Sequence, residues 1–154
     1  MRLYRLCDKK YVDDLTGLGA KLFGGRWNEL NTACIYTSEY LSLAFLEKYV
    51  HANAKENMLN IAVLEIEIPD EKEILLRVDD SKLNSKWKED IAYSQWIGSQ
   101  ILEDVSILAF SVPSVLIPQE RNVIINPNSV HINKLVVKSI GDFNTDYRFL
   151  HRLL

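Results

Sequence analysis

The first candidates for functional residues lie in the segment Gly24-Gly25-Arg26-Trp27-Asn28. Two adjacent glycines let the backbone turn tightly or approach a ligand closely, because neither carries a side chain. Arg26 follows directly, and its guanidinium is a planar fork of donors that suits phosphate or carboxylate. The segment therefore predicts an anion-binding turn. A plain surface turn that directs Trp27 into the core is the alternative.

A second candidate, Glu47, lies in a segment whose spacing predicts a helix over 39–50. The helix is apolar on nearly every side, so we expect it to be mostly buried. A carboxylate near a buried surface is costly unless it is paired or hydrogen-bonded, which makes Glu47 a candidate site residue. The alternative is a solvent-facing Glu47 that pairs with His51, four residues further on, or with a nearby lysine.

The rest of the chain favours strands over helices. Alternating or β-branched patterns predict strands over 3–6, 33–36, 60–68, 74–78, 107–111, 115–117, 123–125 and 135–140. A second helix is predicted over 93–103, with Trp96, Ile97 and Ile101 on one side. The lysine-rich segment 79–90 is predicted to be a surface loop or short helix. Because the strands follow one another without regular helical crossovers, the predicted class is α+β with a largely antiparallel sheet.

Length and composition narrow the class of protein further. The 154 residues are enough for one domain with a full core. A net charge of −3 and a pI near 5.6 do not indicate a broad nucleic-acid surface, so we expect no direct nucleic-acid binding. The sequence contains no apolar run as long as a membrane span and no signal peptide, which predicts a cytoplasmic protein without membrane contact.

The cysteines and histidines indicate neither a disulfide framework nor a metal site. Cys7 and Cys34 lack Cys-x-x-Cys spacing, which fits a reducing compartment. His51, His131 and His151 are far apart and have no Cys or carboxylate pair at ligand spacing, so no metal ion is predicted.

Four separate blocks of the sequence resemble the RES domain, a family named for an arginine, a glutamate and a serine. The blocks are Gly24-Gly25-Arg26-Trp27-Asn28, Ile35-Tyr36-Thr37-Ser38, Leu43-Ala44-Phe45-Leu46-Glu47, and Val112-Pro113-Ser114-Val115-Leu116-Ile117-Pro118 with Asn122 and Asn126-Pro127. Their order and spacing match over most of the chain, so residues 1–154 are interpreted as one RES domain. The chain departs from the family pattern near His131, where a His-Pro pair is usual, and at Asp146-Tyr147-Arg148, where the family has Asp-Pro-Arg.

The resemblance implies a split, mostly antiparallel sheet similar to that of ADP-ribosyltransferases. It implies the toxin of a bacterial toxin–antitoxin pair that depletes NAD and arrests growth by splitting the nicotinamide–ribose bond, by hydrolysis or by phosphorolysis. It also implies a protein partner, a helical Xre-type antitoxin expected to cover the active site. Two alternatives stay open: a mono-ADP-ribosyltransferase that modifies a protein, and a non-catalytic protein-binding module in which Arg26, Glu47 and Ser114 are structural.

The resemblance also gives roles to individual residues. Glu47 is expected to stabilise the positive charge that develops on the ribose. Arg26 is expected to hold the pyrophosphate or an incoming phosphate, with Arg5 as a weaker candidate for the same task. The further NAD-binding candidates are Tyr36, expected to stack on nicotinamide, Ser114, expected to hydrogen-bond the ribose or the amide, and Asn126.

Overall fold

The computed structural model describes residues 1–152; Leu153 and Leu154, part of an apolar C-terminal end in the sequence, lie outside the described residues. Residues 1–152 form seven strands, β1 (Arg2–Asp8), β2 (Ile35–Ser38), β3 (Ile61–Glu67), β4 (Leu75–Arg77), β5 (Ala109–Pro113), β6 (Arg121–Ile125) and β7 (Val136–Phe143). They also form four α-helices, α1 (Leu18–Phe23), α2 (Leu41–Val50), α3 (Ile91–Glu103) and α4 (Tyr147–Leu150). Within the described chain, every helix is too short or too polar to cross a membrane.

The strands form one sheet in the order β4-β5-β6-β2-β1-β3-β7. All neighbouring pairs are antiparallel except β4 with β5. The α+β class with a largely antiparallel sheet is therefore confirmed. The sheet is split between β1 and β2, which share a single registered pair, Tyr4 opposite Ser38, whereas β1 and β3 are in register from Arg2 to Asp8.

The half-sheet that contains β5, β6 and β2 is buried on both faces. Val123 and Ile125 belong to one hydrophobic cluster, while Ile124 belongs to a second one that includes Phe110 and Trp27. Successive side chains of a strand point to opposite faces, so an uninterrupted apolar strand needs cover on both sides. The edge strand β7, in contrast, is mostly exposed.

Both predicted helices are present, but the side chains that they bury differ from the prediction. Only Leu43 and Ala44 of α2 are buried, so the expectation of a mostly buried helix is wrong. In α3, Trp96 is 56% exposed, Ile97 and Ile101 are partly buried, and the buried residues are Ser94, Gly98, Ser99 and Leu102. Helix α3 turns its Gly98 face to the core because its backbone lies close to that of Trp27. A Cβ atom on Gly98 would overlap the main-chain oxygen of Trp27.

The strand predicted over 115–117 is absent from the described structure. The main-chain N–H groups of Leu116 and Ile117 both donate to Ser114 Oγ, at 3.0 and 3.2 Å, and this turn replaces strand pairing. The other predicted strands are present, with ends shifted by a few residues. Helices α1 and α4 are short and were not predicted.

Candidate active site

A cavity of about 490 Å³ lies at the split in the sheet, a volume typical of small-ligand sites. Its walls come from β1, the segment 24–27, β2, α2 and the strand β6. The side chains that give it chemical character are Arg5, Arg26, Tyr36, Glu47, Lys48 and Asn122. Because β1 and β2 diverge here, side chains of both strands reach a space that a continuous sheet would close.

One face of α2 supplies the functional wall of the cavity. Ala44, Glu47, Lys48 and His51 all line it, and their spacing of three, four and seven residues places them on one side of a helix. The ring of Phe45 packs at 4.9 Å against Phe149 near the C-terminus, on another side of the helix. The aromatic contact thus fixes the rotation of α2 that turns Glu47 towards the cavity.

Four polar residues form what we call the Glu47 cluster: Ser38, Glu47, Ser114 and Asn122. Ser114 Oγ donates to Glu47 Oε1 at 3.0 Å, and Asn122 Nδ2 donates to the same oxygen at 2.7 Å. Ser38 Oγ donates to Asn122 Oδ1 at 2.6 Å. Within residues 1–152, no group hydrogen-bonds to Glu47 Oε2. The carboxylate is therefore held by one oxygen and has the other available.

The same contacts test the solvent-facing alternative for Glu47. Glu47 is half-buried, and its carboxylate contacts Ser114 and Asn122. The Nδ1 atom of His51 lies 2.7 Å from the main-chain oxygen of Glu47, so the His51 ring interacts with the backbone instead of the carboxylate. The solvent-facing pair with His51 is wrong.

A second polar group, the Asn28 cluster, consists of Asn28, the Tyr36 hydroxyl and the main-chain N–H of Trp27. Tyr36 donates to Asn28 Oδ1 at 2.7 Å and accepts from the Trp27 N–H at 2.9 Å. The Asn28 amide nitrogen donates to three main-chain oxygens, those of Ala20, Glu29 and Thr32, at 2.8, 3.2 and 2.9 Å. Asn28 is fully buried, and burial raises the pKa of the Tyr36 phenol above its ordinary value. The polar atoms of this cluster are satisfied internally.

The two glycines before Arg26 meet different requirements of this turn. Gly24 has a φ of 69°, in the left-handed region that favours glycine. A Cβ atom on Gly25 would lie 2.5 Å from the Tyr36 hydroxyl, so a larger residue would disrupt the Asn28 cluster. The Gly-Gly pair is thus needed to build the loop.

Helix α3 holds the same loop from outside. Gln95 Nε2 donates to the main-chain oxygen of Gly25 at 2.9 Å, and Ser99 Oγ accepts from the N–H of Glu29 at 2.9 Å. Trp27 is buried and lies 5.6 Å from Trp87, ring centre to ring centre. The predicted alternative that directs Trp27 into the core is correct for this residue, while Arg26 beside it lines the cavity.

Cationic side chains also line the cavity. Arg26 donates through Nη1 to the main-chain oxygen of Lys88 at 2.9 Å, and Arg5 donates through Nη1 to that of Asp14 at 2.6 Å. Each guanidinium has five N–H donors, so both keep donors for an anionic ligand. Lys48 adds a third cation to the lining. The cavity therefore combines several positive groups with one carboxylate.

The structure brings most of the predicted site residues together. Arg5, Arg26, Tyr36 and Glu47 line the cavity, and Ser114, which is fully buried, reaches it only through its hydrogen bond to Glu47. Among groups of His, Cys, Asp and Glu in the described chain, none is arranged to hold a metal ion.

Asn126 does not join this group. Its amide nitrogen donates to the main-chain oxygen of Leu102 at 3.0 Å, and its Oδ1 accepts from the N–H of Asn128 at 3.1 Å. Only 1% of the residue is exposed. Asn126 connects the end of β6 to the end of α3, so its predicted contact with NAD is corrected to a structural role.

Comparison with known proteins gives a fold relative and a family for this chain. A split, mostly antiparallel sheet with a cavity at the split defines an α+β domain. The fold is similar to a chain in the crystal structure of the M. tuberculosis MbcT–MbcA toxin–antitoxin complex, with a TM-score of 0.75 over 99% of this chain and 87% of that chain, at 19% identity. The model of the RES domain matches residues 2–146, so the chain belongs to the RES domain family.

Three relatives are similar over most of their length. A protein named Toxin Res from Photorhabdus laumondii is 37% identical over 97% of this chain and 97% of its own. Another Toxin Res, from Yersinia enterocolitica, is 38% identical over 82% of this chain and 84% of its own. A Prs ADP-ribosylating toxin from Sphingobium is 35% identical over 92% of this chain and 89% of its own.

Proposed function

We propose that this chain is the toxin of a toxin–antitoxin pair and that it depletes NAD by cleaving the nicotinamide–ribose bond in the cavity at the split. The observation that carries the proposal is the state of the Glu47 carboxylate. One of its oxygens is fixed by Ser114 and Asn122 and the other is available, within a cavity that Arg5 and Arg26 also line. The names of the relatives support the toxin part of this assignment.

Cleavage of the nicotinamide–ribose bond requires a fixed negative charge more than a proton donor. In NAD the nicotinamide ring is positively charged, so when the C–N bond breaks, its electron pair neutralises the ring and nicotinamide leaves without a proton. The positive charge moves to the ribose, as in glycoside hydrolysis. An oxygen of the acceptor then bonds to the ribose carbon. If the acceptor is neutral, its proton passes to solvent. A carboxylate held beside the ribose stabilises this charge more in the transition state than in the ground state.

The remaining residues bind and orient. The free guanidinium donors of Arg26, with those of Arg5, suit the pyrophosphate. The Tyr36 hydroxyl is occupied by Asn28 and Trp27, so its ring face, and not its oxygen, is the part that would stack on nicotinamide. Ser114 Oγ already donates to Glu47 and accepts from Leu116 and Ile117. We therefore give Ser114 the task of holding the carboxylate instead of contacting the ribose.

A second candidate function uses the same site with a different acceptor. The relative named Prs ADP-ribosylating toxin is 35% identical to this chain, and its name favours transfer of ADP-ribose to a protein. Bond cleavage is the same in both cases, since only the incoming oxygen or other nucleophile differs. Glu47 and Arg26 keep their roles in either reaction.

The proposal extends to a protein partner and to a place of action. We propose that an Xre-type helical antitoxin covers the cavity and prevents NAD from entering, and that the free toxin acts in the cytoplasm. The fold relative is a chain of a toxin–antitoxin complex, which supports a protein partner. A purified complex that turned over NAD as fast as the free chain would contradict occlusion.

The test is a product analysis of the purified chain with NAD. We expect release of nicotinamide together with ADP-ribose in phosphate-free buffer, or with a phosphorylated ADP-ribose when phosphate is supplied. Incubation with labelled NAD and cell extract checks the alternative, in which label is transferred to a protein. Expression without a partner is expected to lower cellular NAD and arrest growth. Intact NAD under all of these conditions would contradict both candidate functions and favour a non-catalytic binding module.

A further inference from the structure

Asn122 occupies a central place in the Glu47 cluster, although the sequence alone predicts no role for it. It lies in β6 directly opposite Ser38 of β2, and it lines the cavity. Its amide is used at both ends: Oδ1 accepts from Ser38 Oγ at 2.6 Å, and Nδ2 donates to Glu47 Oε1 at 2.7 Å. The donor and the acceptor of an amide are different atoms, so two such bonds fix its orientation.

The carboxylate of Glu47 needs this constraint because its last torsion is soft. Rotation about that bond in glutamate is broad and roughly two-fold, so one hydrogen bond leaves the group free to turn. Ser114 supplies one donor from the segment after β5, and Asn122 supplies a second from β6. With both donors on Oε1, the other oxygen has a defined place.

We propose that Asn122 is a positioning residue that fixes the Glu47 carboxylate in its reactive orientation, and that Ser38 in turn orients Asn122. Ser38 is 3% exposed, and it belongs to the β2 strand at the split in the sheet. The strand pairing between β2 and β6 thus sets the direction of a hydrogen-bond chain that ends at the carboxylate. This inference rests on the proposed function of Glu47 for its catalytic consequence.

The experiment compares Asn122→Ala, Ser38→Ala and the double variant in NAD cleavage. We expect Asn122→Ala to lower kcat about 10²-fold, the cost of misplacing a catalytic group by about 1 Å, with little change in the KM for NAD. Ser38→Ala should lower kcat less. Because Ser38 acts through Asn122, adding Ser38→Ala to Asn122→Ala should cause no further loss, whereas independent structural effects would add.

Controls separate folding from positioning. Asn57→Ala removes an exposed asparagine that does not line the cavity, and it should keep the wild-type kcat. Thermal unfolding is measured for each variant. If Asn122→Ala does not fold, Ser38→Ala leaves Asn122 in place and decides the matter, because a wild-type kcat in that variant overturns the proposal. A crystal structure of a folded variant should show the Glu47 carboxylate in more than one orientation.

Failure of this inference is distinguishable from failure of the proposed function. Unchanged kcat in Asn122→Ala, or an equal effect of Ser38→Ala with and without Asn122, overturns the positioning role. If Glu47→Gln is inactive in the same assay, the proposed function stands even so. If the wild-type chain leaves NAD intact, the proposed function fails. If the wild-type chain cleaves NAD and Glu47→Gln is fully active, the role of Glu47 fails and the positioning role fails with it.

Discussion

The Asn28 cluster and the Glu47 cluster border the same cavity and each contains an asparagine, but they differ in which polar atoms remain unpaired. In the Asn28 cluster the amide, the Tyr36 hydroxyl and the neighbouring backbone groups satisfy one another. In the Glu47 cluster, the hydrogen bonds of Ser114 and Asn122 meet on one carboxylate oxygen. The first cluster shapes the loop that carries Arg26, and the second offers a charged atom to a ligand.

Burial and hydrogen bonding alone therefore do not identify a functional residue. Asn28 is more buried and has more partners than Glu47, yet all of its capacity is used inside the fold. A buried polar group left unpaired is expensive, so a closed cluster contributes stability. An exposed or half-buried group with an unpaired hydrogen-bonding atom can instead bind a ligand. Matched substitutions in the two clusters should therefore affect different properties.

The largest effect on stability is expected for Asn28→Asp, which keeps the shape of the side chain. The change removes both N–H donors and places a carboxylate against the main-chain oxygens of Ala20, Glu29 and Thr32. Breaking a buried network and leaving a charge uncompensated costs about 3–5 kcal/mol, a large part of a typical domain's stability. Chemical denaturation measures this loss. Wild-type stability would show that the Asn28 cluster is not closed.

A smaller loss of stability is expected for Gly98→Ala, because the new Cβ would overlap the Trp27 backbone that α3 packs against. Overpacking of this kind costs about 1–3 kcal/mol. Gly19→Ala is the matched control, since Gly19 is also helical and no atom lies within 4 Å of its added Cβ. We expect Gly19→Ala to be neutral or stabilising in thermal unfolding. Equal destabilisation by the two variants would contradict the close contact.

Tyr36→Phe should cost about 1–3 kcal/mol, because the Trp27 N–H and Asn28 Oδ1 lose their partner. The aromatic ring remains, so NAD cleavage per folded molecule should change little if Tyr36 acts by stacking. Activity is measured at a temperature where the variant is folded by circular dichroism. Loss of turnover in the folded variant would show that the Tyr36 hydroxyl takes part in NAD cleavage, as Glu47 is proposed to do.

The last effect appears only at alkaline pH and reports whether the Cys34 thiol is buried. Burial raises the pKa of the Cys34 thiol from 9.0 to about 12. The neutral thiol thus stabilises the fold fully below pH 9, and this contribution is lost as the pH rises towards 12. Cys34→Ala should flatten the fall in unfolding free energy over this range. Parallel pH curves for the variant and the wild type would contradict burial of the thiol.

Much of the fold followed from sequence patterns, and the failures have physical causes. The alternation in 60–68 predicted β3, and the apolar run in 123–125 predicted part of β6. The run 115–117 has the same composition as a strand, but Ser114 Oγ captures its amides. The exposure of Trp96 depends on the contact of Gly98 with another segment, which no helical pattern contains.

The candidate site was predictable in its principal residues but not in their partners. Arg26, Tyr36 and Glu47 could be chosen from motifs, and the structure places all three at the cavity. The pairing of Ser38 with Asn122 depends on strand register between distant segments, so spacing along the chain does not reveal it. Asn126 carried the same motif signal as the others, but its amide is used by the fold.

The most direct test of this account is Glu47→Gln, measured for NAD turnover and thermal unfolding on the same preparation. Glutamine keeps an oxygen that can accept from Ser114 and Asn122, so the melting temperature should stay close to that of the wild type. Removal of the charge should lower turnover by about 10² to 10³-fold. Glu103→Gln, an exposed site at the end of α3, is the matched control and should change neither property. A Glu47→Gln variant with full turnover and unchanged melting would remove Glu47 from the reaction and contradict the central claim.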